Sequence, residues 1–273
     1  MDNDLSLKSK EIKMILLIVG DGKTGKKTII KSILKNKQFT KKQHVSYKSF
    51  FFTHEETIGK SNISIPIEIR VLNSEELDTE LKLNKTFYNE ALGAFVVNSI
   101  VDNNSFTNGE KWKDKIDLMC CLPNRFPLPI FLLINKCDIV ANEEDNEDNK
   151  NIQYLQKDKI EAYSTENQFF NTFLLGKNDE DENNIINTDK NDGNKIKINK
   201  NDDDNKININ NNNNKEEKIK DLIVNPIKPF REMVKVIMGY KDIRNGFIKQ
   251  SGVDVDDNDF EGNQTKNKKC NIF

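Results

Sequence analysis

The sequence predicts an α/β fold, a mostly parallel sheet flanked by helices. Three observations carry that expectation. Residues 12–19 (IKMILLIV) are a continuous apolar, β-branched run stopping at Gly20, the pattern of a strand buried on both faces. A glycine-rich loop and a helical stretch, Thr28 to Lys37, follow at once. Strand and helix patterns then alternate, an order that puts a ligand at the carboxyl ends of the strands.

The later elements follow in order. Residues 64–72, with the pattern counted from Asn62, alternate in polarity and read as a strand; Pro66 places it at an edge or early in its course. A helical pattern around Phe87–Ala91 precedes a strand at Leu92–Val97. A helix around Trp112–Met119 leads to the strand Pro129–Ile134, which ends at Asn135. Residues 141–151 form an acidic loop, 160–168 read as a helix and 169–175 as the last strand. Residues 178–220 are nearly all Asn, Asp, Lys, Glu and Ile, too polar to offset their ordering entropy, so they read as a disordered insert. Structure resumes in PFREMVKVIMG, where Phe230, Met233, Val234 and Ile237 share a helix face and Pro229 and Gly239 suit its ends. The domain expectation is a main part over 1–177, the insert 178–220, a last helix within 221–240, and a loose polar tail over 241–273.

Composition narrows the function. Formal net charge is -2 and no dense basic face appears, which excludes a general nucleic-acid binder. Hydrophobic residues make up 36%, and the deficit is concentrated in the two polar stretches, leaving the remainder able to bury a core. Of the four cysteines, Cys120 and Cys121 lack metal-site spacing, and a reduced cytosolic setting follows. The apolar run after the polar N-terminus is too short to span a bilayer, so neither a signal peptide nor a membrane helix is expected.

Residues 20–26, GDGKTGK, fit the first seven positions of G-x-x-x-x-G-K-[ST] between a strand and a helix. The phosphate-binding candidates are Gly20, Asp21, Gly22, Lys23, Thr24, Gly25, Lys26, Lys27 and Thr28. Gly20, Gly22 and Gly25 let the backbone curl so that N–H groups converge on phosphate oxygens, and the helix adds its positive end. Lys26 would reach the β- and γ-phosphates. The eighth position should hold a hydroxyl for the metal, and here it is Lys27. Thr28 lies about 100° further round the helix and does not substitute. Weak nucleotide binding, or binding with little dependence on magnesium, is therefore expected.

Asn135-Lys136-Cys137-Asp138 follows an apolar strand. There Asp138 would accept two hydrogen bonds from a guanine edge, Lys136 would lie along the base, and Asn135 would tie this loop to the phosphate loop. Together with Thr57-Ile58-Gly59, FYNEALGAFVV (87–97), SF (105–106), KWKDKIDL (111–118) and LPN (122–124), these motifs make the chain resemble Rab small GTPases. The stretch from Phe87 to Asp138 resembles most the Rab subgroup of lysosome-related organelles. The resemblance covers residues 12–138, with weaker likeness resuming at IEAYSTENQF and the last helix. It implies a Ras-like P-loop fold with a six-stranded sheet, GTP or GDP as ligand, and a role in vesicle trafficking through effectors and an exchange factor. It also implies that Thr57 belongs to the first switch.

The departures concern catalysis. The family's W-D-x-A-G-Q-E aligns with residues 72–78, turning the metal-linked Asp into Asn73, the γ-phosphate-sensing Gly into Glu76 and the water-positioning Gln into Leu77. No D-x-x-G string exists between residues 60 and 90. The third base-contact motif is missing too; its place falls at Leu175-Gly176-Lys177, with Tyr163-Ser164-Thr165 as the rival. No catalytic residue is assigned, and GTP hydrolysis is expected to be impaired. The alternative is a pseudo-GTPase, a membrane-tethered interaction module that binds no nucleotide. Cys270-Asn271-Ile272-Phe273 fits a prenylation motif loosely, with Lys266, Lys268 and Lys269 before it. Geranylgeranyl on Cys270 would hold the protein on the cytoplasmic face of an intracellular membrane.

Overall fold

The computed structural model describes residues 11–35, 37–44, 47–72, 85–141, 156–176 and 222–252. The strands are β1 (Met14–Val19), β2 (Phe39–Gln43), β3 (Tyr47–Ile58), β4 (Ser61–Leu72), β5 (Ala91–Ser99), β6 (Ile130–Asn135), β7 (Asn171–Leu175) and β8 (Ile223–Val224). The helices are α1 (Lys26–Leu34), α2 (Lys85–Tyr88), α3 (Asn103–Met119), α4 (Cys137–Ala141), α5 (Lys157–Glu166), α6 (Ile227–Gly239) and α7 (Lys241–Ser251). One sheet holds all eight strands in the order β2-β3-β4-β1-β5-β6-β7-β8. Only the β2–β3 and β3–β4 pairs are antiparallel; the rest are parallel.

The central strand shows why the chain folds this way. All six residues of β1 are buried, and alternate side chains serve opposite faces, as the pleat requires. Met14, Leu16 and Ile18 join the core beneath α1, α6 and α7, with Ile33, Met233 and Phe247. Ile15, Leu17 and Val19 join the core beneath α2, α3 and α5, with Phe87, Trp112 and Tyr163. Each such side chain, fully buried, contributes about 1.5–3 kcal/mol. Pro66 sits where β4 is paired with β3 alone, because the β4–β1 ladder begins at Ile67. Its missing N–H therefore leaves no β1 carbonyl without a donor.

Several expectations change. The sheet has eight strands rather than six: β2 and β8 are short additions at its two edges. The helix expected around Trp112–Met119 starts earlier, at Asn103, where Asp102 caps it by accepting from the Asn104 N–H at 3.1 Å. Residues 241–251 are helix α7, not loose tail. Phe247 seals α7 onto the sheet, Gln250 Nε2 donates to the Ile12 carbonyl at 2.9 Å, and Gly252 ends the helix in the left-handed region (φ 69°). The acidic loop beyond Ala141, the insert 178–220 and the C-terminal tail lie outside the described residues.

Candidate nucleotide-binding site

The loop Gly20–Lys26 leaves β1 and enters α1. Gly20 has φ 137°, and a Cβ there would lie 2.3 Å from the Val97 carbonyl oxygen of β5. Gly25 has φ 95°, and a Cβ there would meet Asn135 Nδ2 at 2.0 Å. Glycine is required at both positions by conformation and by space. Gly22 does not take a left-handed turn, whereas Lys23 does, with φ 64°. Thr24 is fully buried and its hydroxyl donates to the Asp21 carbonyl at 3.0 Å.

Lys26 is 8% exposed. Its ammonium donates to the carbonyls of Gly20 and Asp21 at 2.6 and 2.5 Å. Burial pulls its pKa from 10.5 down to about 8, opposed by the Asp21 carboxylate and assisted by the neighbouring Lys27 charge. Lys27 and Thr28 point to solvent.

The base-recognition residues sit where β6 ends. Asn135 Nδ2 donates to the Thr24 carbonyl at 2.9 Å, so the two loops are joined through one side chain. Lys136 takes a left-handed turn (φ 66°) and Asp138 opens α4. Cys137 is buried beneath them, its thiol donating to the Ile134 carbonyl at 3.2 Å and pushed up to about 12 by burial. A Cβ on Gly176 would lie 2.8 Å from the Asp138 backbone nitrogen and 3.0 Å from its carboxylate. The loop after β7 thus lies against Asp138, while Tyr163-Ser164-Thr165 sit within α5 with Tyr163 buried. Lys177 lies outside the described residues, as do Asn73, Glu76, Leu77 and Cys270.

Thr57 requires a correction. Because β4 runs parallel to β1, its end at Leu72 lies on the side of the sheet that carries the phosphate loop, and Tyr47 pairs with Leu72. Thr57 pairs with Asn62, beyond the Met14–Ile67 pair at the start of β1. It is an exposed residue near the β3–β4 turn, its hydroxyl donating to Asn62 Oδ1 at 2.7 Å. The sheet register therefore carries it to the end opposite the phosphates. Between α1 and β3, β2 starts level with the opposite end of β1, since Phe39 pairs with Phe52 and Phe52 with Ile67, and it runs toward the phosphate side at Gln43.

Guanine nucleotide fits the residues present: a strained glycine loop, a buried lysine and an Asp138 backed by Gly176. The described residues hold no ligand set for magnesium. Lys27 stands where a hydroxyl is needed, Thr57 is remote, and among the described residues no group of three or more His, Cys, Asp or Glu is placed to hold a metal ion.

Two further residues belong to the site. Asn108 and Trp112 of α3 donate to the Asp21 carboxylate. From its place on an amphipathic helix, Trp112 reads as a packing residue over a binding one by about four to one. The available signal was chemical: a buried indole N–H needs an acceptor.

The model of the Ras family matches residues 15–173, more than half of the chain, and the chain belongs to that family. Its similarities run to Rab proteins. Human Ras-related protein Rab-7L1 is 23% identical over 163 residues, covering 56% of this chain and 68% of the relative. Mouse Ras-related protein Rab-32 is 46% identical over 56 residues, covering 20% and 25%. Rab-32A of Dictyostelium discoideum is 29% identical over 139 residues, covering 45% and 55%. Within the Ras family this is a Rab-type small GTPase related to the Rab-32 group.

Proposed function

We propose that this chain is a guanine-nucleotide-binding Rab-type protein of membrane trafficking whose nucleotide is held with little help from magnesium and is hydrolysed poorly. The observation that carries this reading is the Asn135–Thr24 hydrogen bond, which joins the base-recognition and phosphate loops. In this reading Asp138 accepts from the guanine edge, Lys136 flanks the base, and Lys26 with the start of α1 neutralises the phosphates. Nothing described replaces the metal-binding hydroxyl, and the alignment puts Leu77 where a water-positioning Gln belongs. Hydrolysis is then expected at about 10⁻⁴ per second or less.

Purified protein should release GDP or GTP on denaturation, and labelled nucleotide should bind almost equally with magnesium and with chelator. Strong magnesium dependence, or ordinary single-turnover hydrolysis, would overturn the respective half of the proposal. The pseudo-GTPase reading is favoured by Lys27 at the metal-ligand position of the loop, with Asn73 and Glu76 in the second-switch sequence; protein that carries no nucleotide and binds none would establish it. Effectors, an exchange factor and a geranylgeranyl anchor on Cys270 complete the proposal. No helix among the described residues is long and apolar enough to cross a membrane. Loss of membrane association in Cys270→Ser is the expected result for the anchor, and unchanged association removes it.

A further inference from the structure

Asp21 is the residue through which α3 touches the phosphate loop. Its carboxylate accepts two hydrogen bonds from that helix: Asn108 Nδ2–H to Oδ2 at 2.7 Å, and Trp112 Nε1–H to Oδ1 at 3.3 Å. Its backbone carbonyl accepts from Lys26 at 2.5 Å and from Thr24 at 3.0 Å. One residue therefore couples a helix to the lysine that meets the phosphates.

The helix is a firm support. Trp112 and Phe106 are fully buried. The Ser105 hydroxyl donates to the Asp102 carbonyl at 2.7 Å and accepts from the Ser99 N–H at 2.9 Å, pinning the start of α3 to the end of β5. Tyr163 of α5 donates to the Phe106 carbonyl at 2.7 Å. The loop itself, GDGKTGK, is glycine-rich and costly to order. In a site without the usual metal ligand, a loop already held in its binding shape lowers that cost before the nucleotide arrives.

We propose that Asn108 and Trp112 are positioning residues of the nucleotide site, fixing Asp21 so that its carbonyl aims Lys26 and the loop keeps its phosphate-binding shape. This rests on the nucleotide reading above and deepens it. Hydrogen bonds to a carboxylate are the stronger kind, so their loss should reach the ligand as faster release. Trp112 is also the single tryptophan of the chain, which makes its indole a reporter of the loop.

The test uses the full chain and fluorescent GDP. Asp21→Asn and Trp112→Phe should each speed GDP release about tenfold, the scale of one charge-assisted hydrogen bond. Asp21→Asn combined with Asn108→Asp reverses the donor and acceptor and should restore release to within about twofold of the parent. A residue that merely packs would not show this rescue. Unchanged release in Asp21→Asn, or no recovery in the double variant, overturns the proposal; Asn108→Ala stands in if Trp112→Phe does not fold. If the parent binds no nucleotide, the functional reading fails, and the clamp is read in the free protein. Amides 20–25 should then exchange hydrogen faster in Asp21→Asn and recover in the double variant, and the single indole N–H resonance should move. Equal exchange rates and an unmoved resonance in the free protein would overturn the clamp.

Discussion

Lys26 and Lys27 are neighbours with opposite fates, one sealed against loop carbonyls and one in water. Replacing Lys27 by Thr restores a hydroxyl at the position where a metal would be held. Lys27→Thr should make nucleotide affinity about tenfold weaker in chelator than in magnesium, a difference the parent should not show, as equilibrium titration would read. Lys26 supplies a pH signature. Its value is about 8 in the folded chain against 10.5 ordinarily. Between those values the unfolded chain binds more protons, so this group makes stability rise with pH across that window. Urea denaturation at several alkaline pH values should show the rise in the parent and lose its Lys26 share in Lys26→Met. Both lysines were legible in the sequence, because a phosphate loop is contiguous in the chain and its chemistry is set by neighbours.

At the scale of elements, pairing decides. The β3–β4 hairpin extends well past the start of β1, and that overhang carries Thr57 away from the site. Thr57→Ala should therefore change GDP release less than about twofold, since it removes only an exposed hydrogen bond. A second element-level device holds α2. Arg70 in β4 donates through Nη1 to the carbonyls of Thr86, Phe87 and Asn89 at 2.7, 3.0 and 2.8 Å. Its Nε donates to Glu68 Oε1 at 2.8 Å, and Glu68 also accepts from Ser49 and Lys13. Burial alone would raise the Glu68 pKa, but the hydrogen bonds from Arg70, Lys13 and Ser49 outweigh it and bring it to about 2. Its stabilising share is thus present above about pH 4.5 and lost as pH falls toward 2. Arg70→Leu leaves this buried carboxylate only Lys13 and Ser49 and leaves three carbonyls at α2 without their donor, so it should cost about 3 kcal/mol in chemical denaturation, whereas replacing Glu68 and Arg70 together by apolar residues should cost less. Nothing local announced the cluster: alternating residues in IEIR read as strand, and which face would bury charge depended on Lys13 and α2.

At the scale of the whole molecule, the candidate site is assembled from three strand ends that are distant in sequence. β1 supplies the phosphate loop, β6 supplies Asn135 and Asp138, and β7 delivers Gly176 against Asp138. A ligand bridging these loops stabilises the entire sheet by mass action, by about 2.7 kcal/mol at a hundredfold excess over Kd. Thermal melting with GDP in that excess should therefore shift by about 5–10 °C, and the same excess of ADP should leave the midpoint unmoved. The buried strands, the glycine loop and Asn135 to Asp138 were determined by the sequence alone, since each is a run of neighbours whose hydrophobic period or turn chemistry is self-contained. The tertiary structure alone decided that Thr57 lies at the far end, that α7 packs through Phe247, and that Trp112 and Asn108 grip Asp21. Those outcomes depend on strand register and on helix placement, which are properties of partners far apart in the chain rather than of any segment by itself.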